Sequence, residues 1–286
     1  MYFFLKALSF LPLFVLYGIG DLIFVIAFYL LRWRRGIASD NLARAFPEKS
    51  EAERYRIMRQ HYRNLTILAA EVIWAVRQDG EKMRHRVLIE NPEEVNKNYA
   101  LNRSSLFMTA HFCNWEWAVY GSLWFSSQVF AVYKPQRVKG ADRFLRESRT
   151  RFGAAVIPHT KVAEEVASNR RSAPRIYALV ADQTPLKRES KFWATFLNQD
   201  TAFFVGTDRL ARILQAPVYF PRTRRIRRGY YSIYMELIAE PPYRKDDEHA
   251  VTAAYVAALE REIRACPENW LWIHRKWKYE KNAETL

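Results

Sequence analysis

The first thirty-one residues are almost wholly apolar and are followed at once by Arg32, Trp33, Arg34 and Arg35. A membrane-crossing helix needs roughly 20 apolar residues, so the stretch is long enough to be an anchor. Asp21 opposes a regular crossing, since a carboxylate at mid-bilayer costs roughly 3 kcal/mol on insertion scales, and Pro12, Gly18 and Gly20 weaken the helix around it. The expectation is a membrane anchor over residues 1–31, either spanning or bent and shallow. A secretory signal would carry its positive charge before the apolar run and a small-residue cleavage site after it. The arginines that follow place the rest of the chain on the cytoplasmic side.

Beyond the anchor the pattern becomes helical. Residues 37–46 form a short amphipathic piece stopped by Pro47, and Ser50 with Glu53 is a capping-box signature for a helix reaching about residue 77. Its apolar positions, among them Ile57, Leu65, Leu68, Val72 and Ile73, recur at helical spacing. From residue 105 short β-rich runs (105–110, 129–133, 175–181, 217–221 and 231–239) alternate with helical patterns near 115–123, 141–151, 162–170 and 204–214. This alternation predicts an α/β fold, a mixed central sheet flanked by helices. Residues 32–286 read as a single α/β domain whose segment 32–100 is a helical lead-in.

The chain has 286 residues, half of them hydrophobic, which is ample for one large core. A formal net charge of +15 adds an anionic partner to the picture. Lys134, Arg137, Lys139, Arg143, Arg146 and Arg149 form one basic cluster, and Arg222, Arg224, Arg225, Arg227 and Arg228 form a second. No RNA- or DNA-binding motif accompanies them, so nucleic acid is not the expected partner. The two cysteines, Cys113 and Cys266, suggest neither a disulfide framework nor a zinc pattern.

Two polar clusters arrive at the ends of separate strands. His111 follows the run "SLFMTA", and Asp182 with Gln183 follows "RIYALV". Ligands of open α/β sheets bind outside the carboxyl ends of the strands. Glu116 falls one turn into the next helical stretch, which begins near Asn114. From there its carboxylate is expected to turn back and hold one imidazole nitrogen while the other faces substrate, making His111 a general base. Cys113 offers a competing nucleophile, although free cysteine more often packs as a small apolar residue. The spacing of His111 and Glu116 lacks the two same-face imidazoles of a zinc site, and no metal is expected.

His111 and Glu116 enclose four residues, an HX4E motif in the form "HFCNWEW". It resembles the lysophospholipid acyltransferase superfamily and, more narrowly, the lipid A biosynthesis acyltransferases, the late lauroyl and myristoyl transferases. In those the equivalent stretch usually has Gly where this chain has Cys113. The likeness extends through the anchor, "NLARAFPEKSEAER" from Asn41, "ADQTP" from Ala181, "GTDRLARILQAPV" from Gly206 and "WLWIHRKWK" from Trp270. It implies a glycerol-phosphate acyltransferase-like sheet and transfer of a fatty acyl chain from acyl carrier protein, with no other cofactor, to a lipid hydroxyl. The place implied is the cytoplasmic face of the bacterial inner membrane. Carried over by position, His111 is the base, Glu116 its orienting partner, Arg149 a substrate or oxyanion contact and Asp182 the acidic residue of the same pocket. Asn114 and Gln183 complete the candidate substrate-binding set. The expected partners are acyl carrier protein, the lipid acceptor and an anionic membrane. The acceptor stays open between a lipid A precursor and a lysophospholipid, amino-acid lipid or other glycolipid. The tryptophan- and cation-rich block from Trp270 is either an interfacial belt or packing against the sheet, with His274 structural.

Overall fold

In the computed structural model, which describes residues 1–169, 172–186, 191–244, 248–279 and 281, the N-terminal third is helical. Helix α1 spans Tyr2–Leu8, and α2 spans Leu13–Val25 and runs on into a π-helical turn, Ile26–Leu30. Helix α3 (Arg35–Ala45) precedes α4 (Glu51–Ala75), which begins at the expected capping box: Ser50 caps the Glu53 amide and the Glu53 carboxylate returns to the Ser50 amide. That reciprocal pair satisfies two backbone donors otherwise left open at a helix start.

Helix α2 is seated along α4 over most of its length. The contacts run antiparallel: Tyr17 with Glu71 at 2.8 Å, Asp21 with Arg63 at 3.1 Å, and the Phe28 ring with that of Tyr62 at 5.1 Å. At Gly20 the helices approach so closely that a Cβ would lie 3.2 Å from the Thr66 carbonyl oxygen. Leu16, Phe24 and Phe28 are thereby buried in the main core. Asp21, awkward in the sequence, pairs with Arg63 and with Arg228 at 3.5 Å. The opposite side of the segment exposes Phe3, Phe4, Phe10, Phe14, Leu30 and Leu31.

The remainder is an α/β unit. In chain order it comprises α5 (Gly80–Arg84), β1 (Val87–Ile89), α6 (Pro92–Ala100), β2 (Ser105–Thr109), α7 (Trp115–Ala118), β3 (Gln128–Tyr133), α8 (Lys139–Thr150), β4 (Ala155–Pro158), α9 (Val162–Asn169) and β5 (Arg175–Val180). A hairpin, β6 (Lys191–Phe196) and β7 (Gln199–Phe204), follows, then α10 (Gly206–Leu214), β8 (Val218–Arg227), β9 (Tyr230–Ala239) and α11 (Ala250–Ala265). Seven strands form a mixed sheet in the order β1-β9-β8-β2-β5-β3-β4, with β8 and β9 antiparallel and the other neighbours parallel. The fold class is the one the alternation predicts. All five expected strands are present. Residue 170, the last of the expected helix 162–170, lies outside the described residues. Strands β1 and β4, the β6–β7 hairpin and α11 were not foreseen. The first two have three and four residues, too few to show a period.

The register of β2 on β5 matters most. Thr109 stands opposite Val180, and the Ala181 amide bonds the Thr109 carbonyl at 3.1 Å. Two residues further along each chain, His111 and Asp182 emerge side by side from the same sheet edge.

Candidate active site

His111 meets Asp182 twice. Its Nδ1 lies 2.8 Å from Asp182 Oδ1, and its backbone amide donates to Oδ2 at 3.1 Å. Trp270 Nε1 adds a third contact, donating to Oδ2 at 3.0 Å. A carboxylate only accepts, so Nδ1 carries a proton, and in the neutral ring Nε2 keeps its lone pair. The Gln183 amide approaches that second nitrogen at 3.4 Å, and the Trp115 ring stands edge-on to the imidazole at 5.3 Å.

The expected partnership of His111 with Glu116 is not what the fold builds. Asn114 caps the four-residue α7 by accepting from the Trp117 amide at 3.0 Å, and from the first turn Glu116 points to α8. There Arg149 grips it with both prongs, Nε to Oε2 at 2.8 Å and Nη2 to Oε1 at 2.7 Å. The carboxylate that orients the imidazole is Asp182. Glu116 still lies close enough for its charge to favour the protonated ring. Of the arginines in this stretch, Arg149 is the one that faces the site. Arg143 stacks on Tyr2 at 4.2 Å, Arg151 donates to the Gln78 carbonyl, and Arg146 is exposed.

Asn114 also needs correction. It is 1% exposed, its Oδ1 is used by the α7 cap and its Nδ2 donates to Glu71 at 2.7 Å. Both ends of the amide are committed inside the protein, where they shape the loop. Trp270 and Lys276 were the residues that sequence reasoning missed. Trp270 and Trp272 are buried against the core, which resolves the tryptophan block as packing, and the buried Nε2 of His274 has no partner among the described residues.

Electrostatics follow from burial and pairing. Burial disfavours a charged imidazole, but the Asp182 charge and hydrogen bond outweigh it and raise the His111 pKa above its ordinary 6.5. Burial would raise Asp182, yet His111, Trp270 and Lys276 together hold it down at about 2. Lys276 is 2% exposed, and burial lowers its ammonium to about 7. Among the described residues no group of three or more His, Cys, Asp or Glu converges as a metal-ligand set.

Cys113 has φ +56°, a left-handed conformation that glycine adopts without strain, and its amide donates to the Asn269 carbonyl at 2.8 Å. Burial pushes the thiol up to about 12, leaving almost no thiolate at neutral pH. Cys113→Ala is therefore expected to keep turnover within about twofold of wild type. Loss of turnover in this variant alongside survival in His111→Ala would establish a cysteine nucleophile instead.

A family model described as bacterial lipid A biosynthesis acyltransferase matches residues 1–279. The chain belongs to that family. Relatives include a lipid A biosynthesis palmitoleoyltransferase of Escherichia coli K12, 26% identical over 271 residues that cover 94% of this chain and 86% of the relative. A lipid A biosynthesis acyltransferase of Shigella flexneri gives the same identity and coverage. A lipid A biosynthesis lauroyltransferase of E. coli K12 is 25% identical over 273 residues, covering 94% and 87% of the two chains. The family match of this acyltransferase therefore runs from the N-terminal helices through the tryptophan block.

Proposed function

We propose that this acyltransferase moves a fatty acyl group from the thioester of acyl carrier protein to a hydroxyl of a lipid A precursor, with His111 as general base. The observation that carries the mechanism is the imidazole with Nδ1 held by Asp182, which leaves Nε2, beside the Gln183 amide, as the nitrogen that takes the proton. As the acceptor oxygen attacks the thioester carbonyl, its proton passes to Nε2. The C–S bond then breaks, and His111 returns the proton to the departing thiolate. Such base catalysis contributes typically about 10² to 10⁴ in rate. Family membership and the names of the relatives support the acceptor.

Incubating detergent-purified protein with acyl carrier proteins of several chain lengths and a panel of lipid A precursor, lysophospholipid and lyso-amino-acid lipid tests both halves. Mass spectrometry should show the acylated precursor, absent with His111→Ala. Selective acylation of another acceptor would overturn the acceptor and keep the chemistry.

The same reading places the enzyme on the cytoplasmic face of the bacterial inner membrane. The stretch Leu13–Leu30, 18 residues at mean hydropathy 2.2, is long and apolar enough to cross. Its seating along the charged α4 favours an anchor lying in the bilayer surface, with the exposed phenylalanines of α1 and α2 immersed. The second basic cluster divides along β8 and its following turn. Arg222 pairs with Glu262, Arg225 bonds Asn64 and Arg228 meets Asp21, whereas Arg224 and Arg227 are exposed. Arg224→Gln with Arg227→Gln is expected to weaken binding to anionic vesicles by about 2 kcal/mol, near 1 per cation. Unchanged cosedimentation would remove this cluster from the membrane contact.

A further inference from the structure

Glu71 lies in the C-terminal part of α4 and is fully buried, yet it forms no ion pair among the described residues. Its carboxylate instead collects four donors from separate parts of the chain. Oε1 accepts from the Tyr17 hydroxyl of α2 at 2.8 Å and from the Gly229 amide at 2.8 Å. Oε2 accepts from Asn114 Nδ2 at 2.7 Å and from the Tyr231 hydroxyl at 2.6 Å. Burying a carboxylate is costly unless its lone pairs are satisfied, and an apolar side chain would fill the space more cheaply. The Gly229 contact is built for closeness. With φ +73°, a Cβ there would strike the Arg86 guanidinium at 2.6 Å and approach the Tyr17 hydroxyl at 3.1 Å.

We propose that Glu71 is a positioning residue that couples the seating of helix α2 to the shape of the catalytic loop. The path is short. An asparagine amide has a donor end and an acceptor end, so a carboxylate facing Nδ2 fixes Oδ1 on the Trp117 amide. A flipped Asn114 would set oxygen against oxygen at Glu71 and leave the α7 start uncapped. The capped turn presents Glu116 to Arg149, and the same loop carries His111 three residues before Asn114. When α2 is displaced, Tyr17 leaves with it, Glu71 loses one of its donors, and the orientation of Asn114 relaxes. The acyltransferase is thus fully competent only with α2 in place. This rests on the assignment of His111 and its loop to catalysis.

The test uses the full chain carrying Tyr17→Phe, which deletes one hydroxyl and keeps the ring, beside Tyr29→Phe. Tyr29 bonds Arg59 across the same helix pair without involving Glu71. Two readouts are taken: kcat and KM with acyl carrier protein thioester and detergent-dispersed lipid A precursor, and hydrogen exchange over residues 111–118. Tyr17→Phe should lower kcat about fivefold or more at unchanged KM and vesicle binding, and should speed exchange over 111–118. Tyr29→Phe should do neither. In a Glu71→Gln background the Tyr17 change should add almost nothing. Wild-type exchange over 111–118 in Tyr17→Phe, or an equal rise in Tyr29→Phe, would overturn the coupling, whether or not Glu71→Gln folds. If wild-type enzyme acylates none of the lipids offered, the proposed reaction fails while the exchange measurement still decides the coupling.

Discussion

Replacing His111 with alanine is expected to lower turnover by about 10² to 10⁴ with little change in KM, because the base acts only as the proton moves. The pH profile carries a sharper signature. Transfer needs the neutral ring, and Asp182 holds the His111 pKa above 6.5, so kcat/KM should rise with pH through a midpoint above that value. Asp182→Asn removes the main charge that opposes burial and leaves only the smaller influence of Glu116 against it. Its midpoint should fall below the wild-type one while maximal turnover drops. Stability moves the other way. The raised pKa of His111 gives a contribution fully present below about 6.5 and lost as pH climbs through the folded value. The depressed pKa of Asp182 gives one present above about 4 and lost as pH falls toward 2. Melting temperature followed against pH beside the rate profile checks both signs. An unmoved kinetic limb in Asp182→Asn would show that this carboxylate does not tune the base.

The second large effect concerns Glu116 and Arg149, a two-pronged pair with side chains only 11% and 16% exposed. Removing one member strands the other charge, which in buried pairs costs about 3 kcal/mol or more. Arg149→Ala is expected to lose about that much stability by denaturant unfolding, together with most of its activity. Glu116→Gln combined with Arg149→Met removes both charges. It should recover most of the stability but not the turnover, if the pair also presents a cation to the developing oxyanion. Recovery of both would assign the pair to the fold alone.

Much of this site was legible because sheet periodicity is a local signal. Two apolar runs ending in His111 and in Asp182–Gln183 placed three polar groups at one edge, and the parallel register of β2 on β5 then brings them together. The role given to Glu116 failed for a reason no local pattern holds. A carboxylate in the first turn of a short helix can face either neighbour, and Arg149 on α8 decides. Glu71 gave no warning either, since a single acidic residue at helical spacing reads as a solvated face. Only the fold shows its donors coming from α2, the β8–β9 turn and the catalytic loop. Arg149 was marked out by kinship, and its neighbours were separated from it by what each one touches.

The closing of the catalytic loop against residues 269–276 has a consequence for how the enzyme is made. Cys113 is anchored by the Asn269 carbonyl, Phe112 bridges Trp270, Trp270 completes the contacts of Asp182, and the Lys276 carbonyl accepts from Thr184. On the ribosome these residues leave the exit tunnel after every other part of the site, and contacts so distant in sequence form late. A nascent chain whose N-terminal helices have already formed thus still has an unfinished reactive centre. Acyl transfer then begins only after residue 276 has emerged, and chains arrested at increasing lengths should gain activity in one step once that residue is free.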